Sequence, residues 1–178
     1  MAPTESSQRL DAEALFDSVG QAYESAFADC SAQRASVTWL LERLPPQASV
    51  LDIGCGTGRP VCSSMAAAGH IVLGIDVSGV MIAAATRNVP EASFEKIDIK
   101  DFEPANGRHG ENMDIAWMGR PIVASSLSSE EVLEVMKAAK FEVLKVENSK
   151  YLPRAAQAGI CREEDVWEEE HLFVYARK

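Results

Sequence analysis

Residues 48 to 58 constrain this chain more than any other stretch. A short aliphatic run, Val50 to Ile53, breaks there into Gly54, Gly56 and Gly58 at alternate positions, and an alanine-rich segment from Val61 to Ala68 follows. The pattern predicts a buried strand over 49–53, a tight turn and a helix over about 60–68, the opening of a β-α-β unit. Glycine lacks a Cβ, so it permits left-handed backbone and lets a ligand lie close against the main chain. Pro60 suits the first helical turn, where its missing N–H costs nothing.

A second aliphatic run, Ile71 to Ile75, ends at Asp76. An acid at the end of the second strand can accept hydrogen bonds from both hydroxyls of a ribose, so turn and acid together point to a nucleoside. Asp52 stands immediately ahead of the turn. Its charge would repel a diphosphate but suits a cationic amino-acid ligand, which disfavours a nicotinamide dehydrogenase.

The stretch Val50-Leu51-Asp52-Ile53-Gly54-Cys55-Gly56-Thr57-Gly58 resembles the first motif of class I S-adenosylmethionine-dependent methyltransferases. Asp76 falls on that family's ribose-binding acid, and Ile97-Asp98-Ile99 resembles its third element, where an Asp contacts the adenine amino group. The likeness covers roughly residues 14 to 104. Residues 118–121, a capped helix after Ser128, and residues 141–146 and 172–177 look like the C-terminal end of fungal-type small-molecule methyltransferases. The resemblance implies an α/β fold, a Rossmann-like class I methyltransferase sandwich with N-terminal lid helices. It implies S-adenosyl-L-methionine as cofactor, with contacts from Tyr23, Asp52, Gly54, Cys55, Gly56, Gly58, Asp76, Val77, Met81, Asp98 and Ile99. The acceptor implied is a small, secondary-metabolite-like molecule.

One part of the family pattern is missing. After Asp98 the chain shows no Pro-Gly-Gly turn and no second apolar strand–helix–strand set; it runs through Pro104-Ala105-Asn106-Gly107-Arg108-His109-Gly110 to Glu111. The expected sheet is therefore shortened by loss of a strand–helix–strand block. The chain then reads as one domain: a helical lid over 1–46, a cofactor-binding half over 47–104 and a truncated C-terminal half over 105–178. Two outcomes follow: residues 113–118 form a fourth strand beside the first, with the closing hairpin on the vacant edge, or the sheet stays open. An open sheet's bare edge favours a homodimer or strand exchange, and association is the preferred expectation.

The remaining elements follow from periodicity. Apolar residues at three- and four-residue steps predict helices over about 11–18 and 31–44, joined through Tyr23 to Cys30 and stopped by Pro45 and Pro46. Phe16, Tyr23 and Phe27 read as packing residues or as a cover over the cofactor, with Tyr23 evenly placed between the two and Phe27 favouring packing. His70 reads as a surface residue at a strand start. Ser78 reads as the N-cap of a helix over 79–87, followed by a strand over 93–97. Residues 141–147 and 171–176 read as strands. The acidic run 163–170 between them reads as a solvated connection, with no metal role expected.

Bulk composition narrows the partners. The chain has 178 residues, 47% of them hydrophobic, enough for one domain with a core. A net charge of −10 with no basic stripe disfavours nucleic acid and anionic membranes, and is compatible with a small neutral or cationic substrate. No apolar run reaches the roughly 18–20 residues of a membrane span, and the polar first residues lack a signal pattern. Cys30, Cys55, Cys62 and Cys161 form no C-x-x-C pair, so reduced thiols and a cytoplasmic location are expected.

Methyl transfer from a sulfonium needs alignment and, for a protonated nucleophile, a base. The candidates are weak: Tyr23, His109, Asp114 and Trp117, with His171 as a further imidazole. A second reading keeps the fold and the cofactor pocket without methylation, as a catalyst of another reaction or an interaction subunit.

Overall fold

A computed structural model describes residues 10–98, 111–118, 120–126 and 128–177. Three helices come first: α1 (Ala12–Val19), α2 (Ala22–Phe27) and α3 (Ser31–Leu41). Asp11 caps α1 by accepting from the Ala14 N–H at 2.8 Å, and Leu15 and Val19 bury its apolar face. The segment read as a connection is in part helical. At six residues α2 is too short for periodicity to reveal, and a helix that short needs tertiary contacts to persist. Tyr23 and Phe27, one turn apart on it, stack with ring centroids 4.5 Å apart. α3 stops at Leu41, short of the expected 44.

The glycine turn follows as the sequence predicts. Strands β1 (Ser49–Ile53), β2 (Ile71–Asp76) and β3 (Ser93–Lys96) pair in parallel in the order β1-β2-β3. Helices α4 (Val61–Ala67) and α5 (Gly79–Asn88) supply the crossovers. Fully buried Cys62 and Met65 of α4 pack on Val72, Cys55 and Val37, with Leu40, Leu41 and Phe94 closing the cluster. Gly74 is required by close approach: a Cβ there would meet the Phe94 ring at 2.7 Å and Cys55 Sγ at 2.9 Å. His70 is half-buried at the head of β2, and its Nδ1 accepts the Ala48 N–H at 3.2 Å.

The second half departs from the expected sheet. β4 (Glu111–Trp117) does not lie beside β1; it pairs antiparallel with β5 (Arg120–Ser126). Trp117 opposes Arg120, so residues 118 and 119 alone connect the strands, and Met118 takes φ 48° to close the turn. A two-residue hairpin closes a very short loop, whereas docking on β1 would have to close a long one. Among the described residues the last strands, β6 (Glu142–Tyr151) and β7 (Glu169–Arg177), pair only with each other. The acidic run is therefore not wholly a loop. Residues Glu163–Asp165 form a single 3-10 turn, and Glu169 opens β7.

Between the two strand pairs, α6 (Ser129–Ala138) carries the cap expected after Ser128, here a capping box completed by Glu131, but has no buried residue. Among the described residues no strand pairs with the outer edge of β1, and Leu51 (54%), Ile53 (55%) and Ile71 (67%) stay exposed. A second core joins the lid to this half: Val19, Ala26, Met118, Ala155 and Ile160, with Tyr23, Phe27 and Trp117 packed against it. No helix among the described residues is long and apolar enough to cross a membrane.

Candidate active site

Parallel strands leave their ligands at their C-terminal ends. Here a cavity of about 220 Å³ opens at that edge, lined by Ile53, Ile75 and Ile97 from the three strand ends, and by Gly54, Gly56, Asp76, Val77 and Met81. Phe16 and Tyr23 reach in from the lid. Gly54 (φ 72°) and Gly56 (φ 53°) adopt left-handed backbone, and a Cβ on either would meet no atom within 4 Å. That is a cradle a side chain would fill and a ligand can occupy, so the residues present fit an adenosyl compound.

Asp76 holds the turn together. Its Oδ2 accepts the Gly56 N–H at 2.9 Å and its Oδ1 accepts the Ser78 N–H at 2.8 Å. Each carboxylate oxygen keeps a further lone pair for a ligand hydroxyl. The Gly54 and Cys55 amides donate to the Ile75 carbonyl at 2.8 and 3.0 Å, anchoring the turn to the end of β2. Ser78 caps α5 as foreseen, accepting from the Met81 N–H at 3.1 Å.

A lid residue completes that cap. Asp17 Oδ1 accepts from Ser78 Oγ at 2.5 Å and from the Val80 N–H at 3.2 Å, and the Ser78 bond draws the Asp17 carboxyl below its usual range. Glu24 ties α2 to the other side of the turn, accepting from Arg59 at 3.2 Å and from Asn88 at 3.4 Å.

Several residues expected at the cofactor do not line this cavity. Asp52 does not line the cavity. Alternation along β1 sends Asp52 and Val50 towards α4 and Ile53 to the opposite side, and Asp52 Oδ2 accepts from the Cys62 thiol at 3.1 Å. Burial raises the Asp52 pKa, opposed by that thiol bond. The Cys62 thiol is itself raised, first by its bond with Cys55, then by burial and by the Asp52 charge.

Cys55 is buried beneath Gly74 rather than open to the cavity. Gly58 faces α5 and the core: a Cβ there would meet Val89 at 3.2 Å and Phe94 at 3.4 Å. Asp98 follows the cavity-lining Ile97 without itself lining the cavity. Ile99 and His109 lie outside the described residues. Asp114 falls on β4 opposite Val123, and its side chain lies outside what is described.

Tyr23 stands between two cavities. It also lines a larger one, of about 570 Å³, with Phe27, Arg34, Arg59, His171 and Phe173 among its walls. Burial, then the charges of Glu169, Cys30 and Asp76, push its phenol up to about 12. It stays protonated at physiological pH and is a donor, not a base. Trp117, a sequence candidate, stacks against Tyr23 with centroids 6.5 Å apart.

The sequence reading missed Glu169. This half-buried carboxylate accepts from Trp117 Nε1 at 3.2 Å, and its other oxygen lies 3.2 Å from His171 Nε2. With Nε2 committed to a carboxylate, neutral His171 keeps its lone pair on Nδ1. Glu169 was hidden in a run of like charges. The ends of the three strands, by contrast, could have flagged Ile53, Ile75 and Ile97 from topology alone.

Fold and glycine cradle define a Rossmann-like nucleoside-binding half with a lid. The family described as "Methyltransferase domain" matches residues 50–145, and the chain belongs to it. It is 38% identical over 88 residues to trans-aconitate 2-methyltransferase of Delftia acidovorans (strain DSM 14801 / SPH-1), covering 45% of this chain and 33% of that protein. It is 37% identical over 76 residues to the dTDP-4-amino-2,3,4,6-tetradeoxy-D-glucose N,N-dimethyltransferase of Saccharopolyspora spinosa, covering 42% of this chain and 30% of that protein. The matched stretch thus spans about a third of each curated relative. In structure the chain resembles a SAM-dependent methyltransferase from Methanosarcina mazei with a TM-score of 0.55, at 14% identity over 79% of this chain and 96% of that one.

Proposed function

We propose that this protein binds S-adenosylmethionine in the cradle of Gly54 and Gly56 and transfers its methyl group to a small-molecule acceptor in the neighbouring cavity. The single observation that carries this is Tyr23, which lines both the cradle and the larger cavity, so donor and acceptor can meet across one side chain. When bound, the sulfonium cofactor supplies an electrophilic methyl group. The chain's own residues bind and orient. Asp76 and the apolar Val77, Met81 and Ile97 hold a nucleoside, while the rings of Phe16, Tyr23 and Trp117 shield the site from water. His171, oriented by Glu169, is the group in the larger cavity equipped to take a proton from an acceptor.

Calorimetry with S-adenosylhomocysteine tests the donor half. The wild type binds it and ignores NAD, and Gly56→Val abolishes binding because its Cβ branches fill the cradle at a positive φ. Binding of NAD instead of the adenosyl compound overturns the reading.

A second reading, fold and pocket without methylation, draws on one observation: among the described residues no strand pairs with the outer edge of β1, and Leu51 is exposed on the adjoining face. A homodimer built on that edge fits the same feature. Sedimentation of the wild type against Leu51→Lys checks it, the charge being expected to dissociate the pair.

A further inference from the structure

With a net charge of −10, the chain as a whole favours neutral or cationic acceptors. The larger cavity runs against that average. Two of its walls carry guanidinium groups, Arg34 from α3 and Arg59 from the end of the glycine turn. Glu24, which also lines it, is engaged by Arg59 at 3.2 Å and by Asn88 at 3.4 Å. Arg34 is different. Its Nη1 donates to the Ala28 carbonyl at 2.6 Å, which fixes the side chain at the end of α2, and among the described residues no carboxylate pairs with it. The remaining N–H groups of that fork stay available for an anion. Arg34 is itself exposed at the cavity, and the other lining residues include rings in contact: Tyr23 stacked on Phe27, with His171 6.3 Å from Phe27 and 6.3 Å from Phe173.

We infer that this cavity takes a planar, aromatic small molecule carrying one carboxylate, with Arg34 as the residue that recognises the anionic group. The inference deepens the proposed methyl transfer and rests on it for the word acceptor, although the binding chemistry stands by itself. A guanidinium and a carboxylate match in geometry as well as charge, giving two parallel hydrogen bonds where an ester or an amine gives none of that strength. The rings supply area for stacking at little entropic cost. A cavity of about 570 Å³ is the size that encloses such a molecule.

The test is calorimetry on the full chain with three probes of one shape: 4-hydroxybenzoate, its methyl ester and 4-hydroxybenzylamine. The acid should bind at least about tenfold more tightly than the ester, and the amine more weakly still. Arg34→Gln should lower affinity for the acid about tenfold and leave the ester unchanged, and Arg34→Lys should fall between.

Arg43→Gln is the control. It removes one charge from the same region at a side chain that pairs with Glu42 and lies over Trp39, outside the cavity. It should change nothing. Equal loss in Arg34→Gln and Arg43→Gln, equal binding of acid and ester, or no binding of any probe overturns the inference.

S-adenosylhomocysteine, titrated separately, reports on the donor pocket alone. Its failure to bind while the acid is preferred would end the methyl-transfer reading and leave the cavity assignment standing. Adenosyl binding without acid preference would do the reverse.

Discussion

The two halves of the fold are built differently. In the half from β1 to β3, α4 is pinned by side chains with no exposure at all, Cys62 and Met65, and a glycine admits Phe94 to the centre of the sheet. In the half from β4 to β7, the described residues form two separate antiparallel pairs, with Leu10 bridging Ile122 of β5, and α6 lies over β6 with nothing buried. One half is a parallel sheet held by a core of fully buried side chains; the other is two antiparallel pairs, β4 with β5 through a tight turn and β6 with β7 across residues 152–168, docked through the lid. The smaller cavity, at the glycine turn, rests on the better-packed half, while the larger one is walled by α2, α3, the end of the glycine turn and β7.

Unfolding experiments probe the difference in packing between the halves. Met65→Ala should cost about 2–5 kcal/mol in urea unfolding, and Met136→Ala on half-buried α6 at most about 1 kcal/mol. Equal costs would erase the difference between the halves. Gly74→Ala comes next, at about 1–3 kcal/mol, because its new methyl meets the Phe94 ring at 2.7 Å. Within the second half, Glu169→Gln should cost about 1–2 kcal/mol by weakening the hold on Trp117 and His171, read as altered tryptophan emission alongside the unfolding midpoint.

The smallest effect is expected at the joint between lid and sheet. Asp17→Ala removes the carboxylate that accepts from Ser78 and Val80, at about 1 kcal/mol near neutral pH. The folded pKa of Asp17 lies below its usual 3.8, so its contribution is full above that value and fades as pH falls through the lower, folded one. Unfolding of wild type and variant should therefore converge in acid, and a gap that persists there would remove the electrostatic part of this cap.

Legibility followed the same division. Residues 49–53 and Asp76 were readable because strand, glycine turn and acid lie close in sequence, and Ser78 because a cap is a local device. The side of β1 that Asp52 occupies was not, although the period of two was visible. Which face meets the ligand depends on where α4 packs. Glu169 was obscured for a similar reason: His171 stands two residues along β7 from it, but Trp117 is brought to it from β4 only by the fold.

The letters alone determined the nucleoside cradle, since its requirements, absent side chains and an acid at a strand end, are properties of single residues at short separation. The tertiary structure alone decided where β4 goes and what walls the larger cavity. Those outcomes depend on long-range closure competing with a two-residue hairpin, and the hairpin, with the shorter loop to close, prevailed.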